Sequence, residues 1–136
     1  MASENLDLVR SIFAAWERGD YTSSEWADPE MEFVLVGSPE PGTWKGLNEV
    51  ESFVRGYMSA WKEFRTEADE YRELDDERVL VLTHAGGRGQ ASGMEIGHQG
   101  GVHLFEIHQG KVMRLVFYWD RERAFADLGL TPDTGT

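Results

Sequence analysis

The sequence contains no cysteine. That excludes disulfides, thiolate nucleophiles and every metal site that relies on sulfur. Positive charge is also scarce: 13 Lys and Arg stand against 25 Asp and Glu, for a formal net charge of −12. A chain this acidic repels phosphate backbones and anionic lipid, so neither nucleic acid nor membrane is expected as a partner. No apolar run approaches the length needed to span a bilayer. The opening MASENLDLVR has neither the basic start nor the apolar centre of a signal peptide, so the expected location is the cytoplasm. Histidine is limited to four residues, none in an HxH or HExxH spacing, so no metal is expected. The glycine-rich GGRGQASG at 86–93 lacks a phosphate-loop lysine and a following helix. It reads as strand ends and a turn rather than a nucleotide cradle.

What is present is enough for one core. The 136 residues fit a single domain, read as 1–130 with a short tail over 131–136. Five Trp, seven Phe and four Tyr can fill a core and also line a cavity. Leu6, Val9, Ile12, Phe13 and Trp16 recur at helical spacing behind a candidate N-cap, Ser3. A short second helix is expected over Ser23 to Ala27, stopped by Asp28-Pro29. Met31 to Val36 reads as a strand, and GSPEPGTWKG as a loop. A third helix is expected from Leu47 to Trp61, with an apolar stripe of Val50, Phe53, Val54, Tyr57, Met58 and Trp61. Segments 64–74, 78–90, 94–107 and 111–119 read as successive antiparallel strands. Residues 120–128 form a last short helix, with Asp120 as N-cap and Gly129 as C-cap. Helices followed by a run of strands indicate an α+β fold with the helices on one side of a curved sheet.

The stretch GGVHLFEIHQGKV at 100–112 holds the most informative pattern. Side chains alternate along a strand, so His103 shares a face with Phe105 and Ile107. A three-residue turn, His108-Gln109-Gly110, would add Met113, Leu115, Phe117 and Trp119 to that face and leave the histidine as its only polar member. The opposite face, Val102, Leu104, Glu106, Val112, Arg114, Val116 and Tyr118, is too apolar to lie bare, and a partner subunit is expected to cover it.

Four pieces taken in order, ENLDLVRSIFAAWERGD, DPEMEF, GTWKGLNEVESFV and HQGKVMRLVFYWDRERAFADLGL, resemble the nuclear transport factor 2-like superfamily, in particular its SnoaL-like and ketosteroid-isomerase-like proteins. The resemblance spans nearly the whole chain. It implies a cone-shaped α+β barrel, in which a bent antiparallel sheet wraps three helices of the N-terminal half and a short C-terminal helix follows. It also implies a pocket at the open end and a homodimer packed through the outer sheet face. Such folds host isomerases, cyclases, hydrolases, dehydratases and binding modules, so fold does not decide function. Aligned this way, the carboxylate base of the ketosteroid isomerases falls on Val34, their tyrosine near Ile12 and their second Asp on His103, which argues against that mechanism.

The expected pocket lining is Phe105, Leu115, Phe117 and Trp119 from the strands, Phe13, Trp16 and Tyr57 from the helices, and Val34 and Trp44. Such a wall suits a small, flat, apolar ligand. Trp44 either guards the mouth or anchors its loop on the following helix. His103 is the candidate acid/base, because an apolar pocket keeps an imidazole neutral; its plainer reading is a bonded core histidine. His84 groups by parity with Leu80 and Leu82, while the resemblance puts it on the pocket side as a second polar group. Glu32 and Asp120 are the carboxylates nearest the expected pocket. His98 is expected outside and His108 in the turn. Three functions follow as alternatives: a cofactor-free isomerase, cyclase, dehydratase or hydrolase working through His103, a binding module for an apolar ligand, or a dimerisation domain.

Overall fold

A computed structural model of the chain describes residues 4–18, 25–37, 42–59, 61–89 and 95–129; the side chains of 57–59, 61–65, 85–89 and 95–100 lie outside that description. In chain order the elements are α1 (Glu4–Glu17), β1 (Ala27–Val36), β2 (Gly42–Lys45), α2 (Leu47–Ser59), β3 (Trp61–Glu73), β4 (Arg78–Gly89), β5 (Glu95–His108), β6 (Lys111–Tyr118) and α3 (Arg121–Leu128). The strands form one open mixed sheet in the order β2-β1-β6-β5-β4-β3. Every neighbouring pair is antiparallel except β1 and β6, which run parallel.

Two apolar clusters sandwich the sheet. On the inner face Val9, Ile12 and Phe13 of α1 and Val50 of α2 pack against Val79, Val81, Phe105, Ile107, Val112 and Leu115. On the outer face Ala124 and Phe125 of α3 pack against Leu80, Leu82, Val102, Leu104, Val116 and Tyr118. The helices therefore lie on both faces rather than one. Of the residues expected on the outer face, Val102, Leu104, Val116 and Tyr118 are buried in the cluster, Glu106 is half-buried and Arg114 is exposed. The α3 helix is well delimited. Asp120 accepts a hydrogen bond from the Glu122 N–H, and Gly129 takes the left-handed conformation at the other end (φ 69°).

The expected helix over 23–27 is absent from its described part. Glu25 and Trp26 form a turn and Ala27 already begins β1; Ser3, Ser23 and Ser24 lie outside the described residues. Asp28-Pro29 sits inside the strand because pairing with β6 lapses there. Ala27 pairs with Val112 and the next pair is Glu32 with Arg114, so Pro29 interrupts no ladder bond. Asp28 Oδ1 takes up the Glu30 N–H at 2.8 Å in the gap. The loop GSPEPGTWKG conceals a strand: β2 pairs with β1 from Glu32↔Lys45 to Leu35↔Gly42.

The β5–β6 turn has two residues, not three. His108 pairs with Lys111, and Gln109 and Gly110 both have positive φ (52° and 77°), as a primed hairpin turn requires. A bulge then returns the strand beyond it to the expected face. Ile107 faces Val112 and Glu106 faces Arg114, leaving Met113 unpaired; beyond it Phe105 faces Leu115 and His103 faces Phe117. Val112, expected outside, takes the inner place that Met113 was expected to fill.

Candidate functional site

His103 lies at the centre of the inner face. It pairs across the sheet with Val81 of β4 and Phe117 of β6, on the stretch of β5 that packs under α1. Aromatic rings approach it from both layers. Their centroid distances are 4.6 Å to Phe117, 5.6 Å to Phe13, 5.7 Å to Trp16 and 6.2 Å to Phe105. Phe13 meets the imidazole edge-on at 88°, and Phe105 lies nearly parallel at 20°. Trp119 extends this wall beyond Phe117 and Trp26 extends it beyond Trp16, each ring pair at 6.2 Å.

One polar contact holds the ring. Thr83 Oγ1 lies 3.2 Å from His103 Nδ1. Thr83 is 1 % exposed and His103 9 %. No polar partner faces Nε2 among the described residues. Burial without a neighbouring countercharge disfavours the imidazolium and pushes the His103 pKa down to about 3, so the ring is neutral at pH 7.

Sequence reasoning missed Thr83. It shares strand parity with Val79 and Val81, which line the inner face, so a hydroxyl within an apolar parity set was the available signal. Gly101 was missed as well. It pairs with Thr83, next to a bulge that leaves Gly100 unpaired. Arg121 of α3 donates to the carbonyls of Thr83 (3.0 Å) and Gly101 (3.4 Å), bracing this pair from the outer face.

Other expected site residues fall elsewhere. His84 follows the parity of Leu80 and Leu82, away from His103: Nδ1 lies 2.7 Å from Asp69 and Nε2 3.0 Å from Glu67, and Asp69 also binds Arg121. The pocket-side placement fails because adjacent strand residues point to opposite faces and Thr83 occupies the inner one. Val34 packs with the outer cluster, whereas its neighbour Phe33 packs with the inner one. Val34, expected to line the pocket, therefore lies on the outer face, and the positions on either side of it, Phe33 and Leu35, cannot ionise. Glu32 is engaged by Lys45 (3.8 Å) and Arg114 (3.6 Å), and Asp120 by its capping role. Trp44 stacks on Phe53 of α2 at 4.1 Å, with Phe33 at 5.9 Å, which matches the anchor reading. Leu115 is buried in the inner cluster. Tyr57 belongs to α2, but its side chain, like that of His98, lies outside the described residues. His108 is exposed and lies 3.1 Å from Glu77.

Among the described residues no group of three or more His, Asp or Glu side chains is placed to hold a metal ion, and no helix is long and apolar enough to cross a membrane.

No family model and no curated protein matches the chain. Its backbone does match solved structures. An NTF2-like protein of unknown function from Burkholderia pseudomallei superposes with a TM-score of 0.75 at 24% identity, covering 91% of this chain and 96% of that one. A candidate SnoaL-like polyketide cyclase from a Jannaschia species gives 0.73 at 14% identity, covering 95% and 94%. The chain has the NTF2-like fold. A protein with a ketosteroid isomerase-like fold from Catenulispora acidiphila is similar at 0.69 and 13% identity, covering 93% and 95%. In an NTF2-like frame, the inner face carrying His103 is enclosed between the sheet and α1.

Proposed function

We propose that this NTF2-like chain is a SnoaL-like pocket protein that binds a small, flat, hydrophobic cyclic molecule beside His103. One observation carries the reading: a buried neutral imidazole, held at Nδ1 by Thr83, has no polar partner for Nε2 among the described residues. Leaving a buried polar atom unpaired costs about 1–3 kcal/mol, a cost that a ligand atom at Nε2 would offset. Of the rings around the imidazole, Trp16 and Phe117 are only half-buried and offer apolar surface for a flat molecule, while Phe13 and Phe105 are fully buried and back the site. An imidazole whose conjugate acid titrates near pH 3 is a weak base, so it suits hydrogen bonding better than proton abstraction.

A second reading gives His103 cofactor-free acid/base chemistry of the isomerase, cyclase, dehydratase or hydrolase type. The Thr83 contact favours it, since an orienting group on one ring nitrogen leaves the other to face a substrate. The similar structures include a candidate polyketide cyclase, which is in keeping with either reading.

The test is an NMR titration of the His103 ring with and without flat apolar compounds such as 9-fluorenone and fluorene. The expected result is a ring that does not titrate between pH 5 and 8 and whose signals move to saturation with at least one compound. Titration near the ordinary histidine value, untouched by any compound, would overturn the reading. Turnover that disappears in His103→Ala would decide for the catalytic version.

A further inference from the structure

The Thr83–His103 contact also bears on what kind of ligand atom the site accepts. A neutral imidazole carries one proton, on Nδ1 or on Nε2. With the proton on Nδ1, the ring donates to Thr83 Oγ1. The hydroxyl hydrogen is then left without an acceptor, and the Nε2 lone pair without a donor. With the proton on Nε2, the Thr83 hydroxyl donates to Nδ1. The groups left over are then Nε2–H and a lone pair on the alcohol oxygen. Each arrangement leaves one donor empty, so the difference lies in the acceptor. The imidazole nitrogen is more basic than an alcohol oxygen, and leaving it dry in a buried site costs more. Among the described residues neither the Thr83 hydroxyl nor the His103 ring has another hydrogen-bond partner that would reverse this balance.

We infer that Thr83 fixes His103 as the Nε2–H tautomer, so that the site takes its flat apolar ligand through a hydrogen-bond acceptor, a ketone- or quinone-type carbonyl oxygen. The inference rests on the pocket reading above and adds the polarity of the contact. Thr83 is a positioning residue in this scheme. It touches the ring and not the ligand, and it acts by deciding which ring nitrogen carries the proton. A ligand offering only a hydroxyl hydrogen or an N–H at that point would meet a donor and be rejected.

The experiment uses the full chain labelled with ¹⁵N at histidine and two probes of similar shape, 9-fluorenone and fluorene. Long-range ¹⁵N–¹H spectra report the tautomer directly. The expected result is an Nε2–H tautomer in the free protein, fluorenone binding about tenfold more tightly than fluorene, and a shift of Nε2 with fluorenone alone. Thr83→Val, which keeps the volume and removes the hydroxyl, should lose the single tautomer and most of the preference; Thr83→Ser should keep both. An Nδ1–H tautomer in the free protein overturns the inference whichever probe binds. An Nε2–H tautomer with equal affinity for both probes overturns carbonyl recognition, with the N–H resting on a neighbouring ring face, and leaves the pocket reading intact. Binding of neither probe overturns the pocket reading and carbonyl recognition with it, while the spectra of Thr83→Val still decide the role of Thr83.

Discussion

Gly101 faces Thr83 across the β4–β5 ladder, and the space that a side chain would need there is already taken: a Cβ on Gly101 would lie 2.9 Å from Phe117 Cε1 and 3.2 Å from Thr83 Oγ1. Both of those groups touch His103. Gly101→Ala is therefore expected to cost about 1–3 kcal/mol through overpacking. It should also disturb the imidazole, because the ring and the hydroxyl must move together. Urea denaturation measures the first effect and the His103 ring signals the second. An unchanged midpoint with unchanged ring signals would show that Phe117 has room to move.

Acid should find out His103. Its folded pKa, about 3, lies below the ordinary value of 6.5, because burial disfavours the charged form. The unfolded chain takes up a proton near pH 6.5 that the folded chain refuses. The stability from this group is therefore complete above pH 6.5 and falls as pH drops towards 3. The slope is up to about 1.4 kcal/mol per pH unit. The carboxylates titrate in part of the same range, so the comparison to make is wild type against His103→Asn. The variant should lose less stability between pH 6.5 and 4.5, and parallel curves would count against a desolvated histidine.

The β5–β6 turn holds Gln109 at φ 52°, where residues with a long side chain are uncommon. Asparagine is favoured at that place in a primed turn before glycine. Gln109→Asn should raise stability by roughly 0.5–1 kcal/mol without altering the site. Thermal unfolding gives the first, and the unchanged His103 signals the second.

Met113 is the extra residue that lets a two-residue turn coexist with the His103↔Phe117 pairing. Deleting it while the turn keeps its geometry would close the bulge and leave Phe105 opposite Leu115 and His103 opposite Phe117, since the residue removed is the one without a cross-strand partner. The deletion variant should fold, keep the His103 ring signals and lose no more than about 1–2 kcal/mol. A deletion variant that fails to fold or loses the ring signals would mean that the bend the bulge imposes, and not only the pairing beyond it, shapes the site.

How much the sequence disclosed depended on the range of the signal. Elements marked by local chemistry could be read directly: the α3 caps at Asp120 and Gly129, the α1 stripe, and the long strands; between β3 and β4, Asp75 Oδ1 accepts from the N–H groups of Glu77 (2.9 Å) and Arg78 (2.8 Å). The place of His103 among aromatic rings was legible too, although the turn behind it was misjudged. A primed turn plus a bulge and a longer turn without one give the same parity beyond Arg114, so the hydrophobic pattern could not separate them. What stayed hidden was set by contacts between distant segments. Pro29 is tolerated in β1 because β6 does not pair there, and β2 is a strand because β1 lies beside it. Val34 and His84 went astray because an alignment counts residues and cannot see which side of the sheet a residue faces. Thr83 went unnoticed because nothing local to VLVLTHAGG reveals that a histidine twenty positions onward will bond to it.

The parallel pairing of β1 with β6 carries a consequence for how the chain is made. The strand that comes last in the sequence sits in the interior of the sheet, between the first strand and the fifth. Phe33 must wait for Leu115, 82 positions downstream (115 − 33), before its ladder closes. Without β6 the native pairings fall into two separate sets, β1 with β2 and β3 with β4 and β5, each ending in an unpaired edge. Such long-range closure slows folding and lengthens the time at risk of misassociation. The large negative charge acquires a use here, since chains in this half-built condition repel one another.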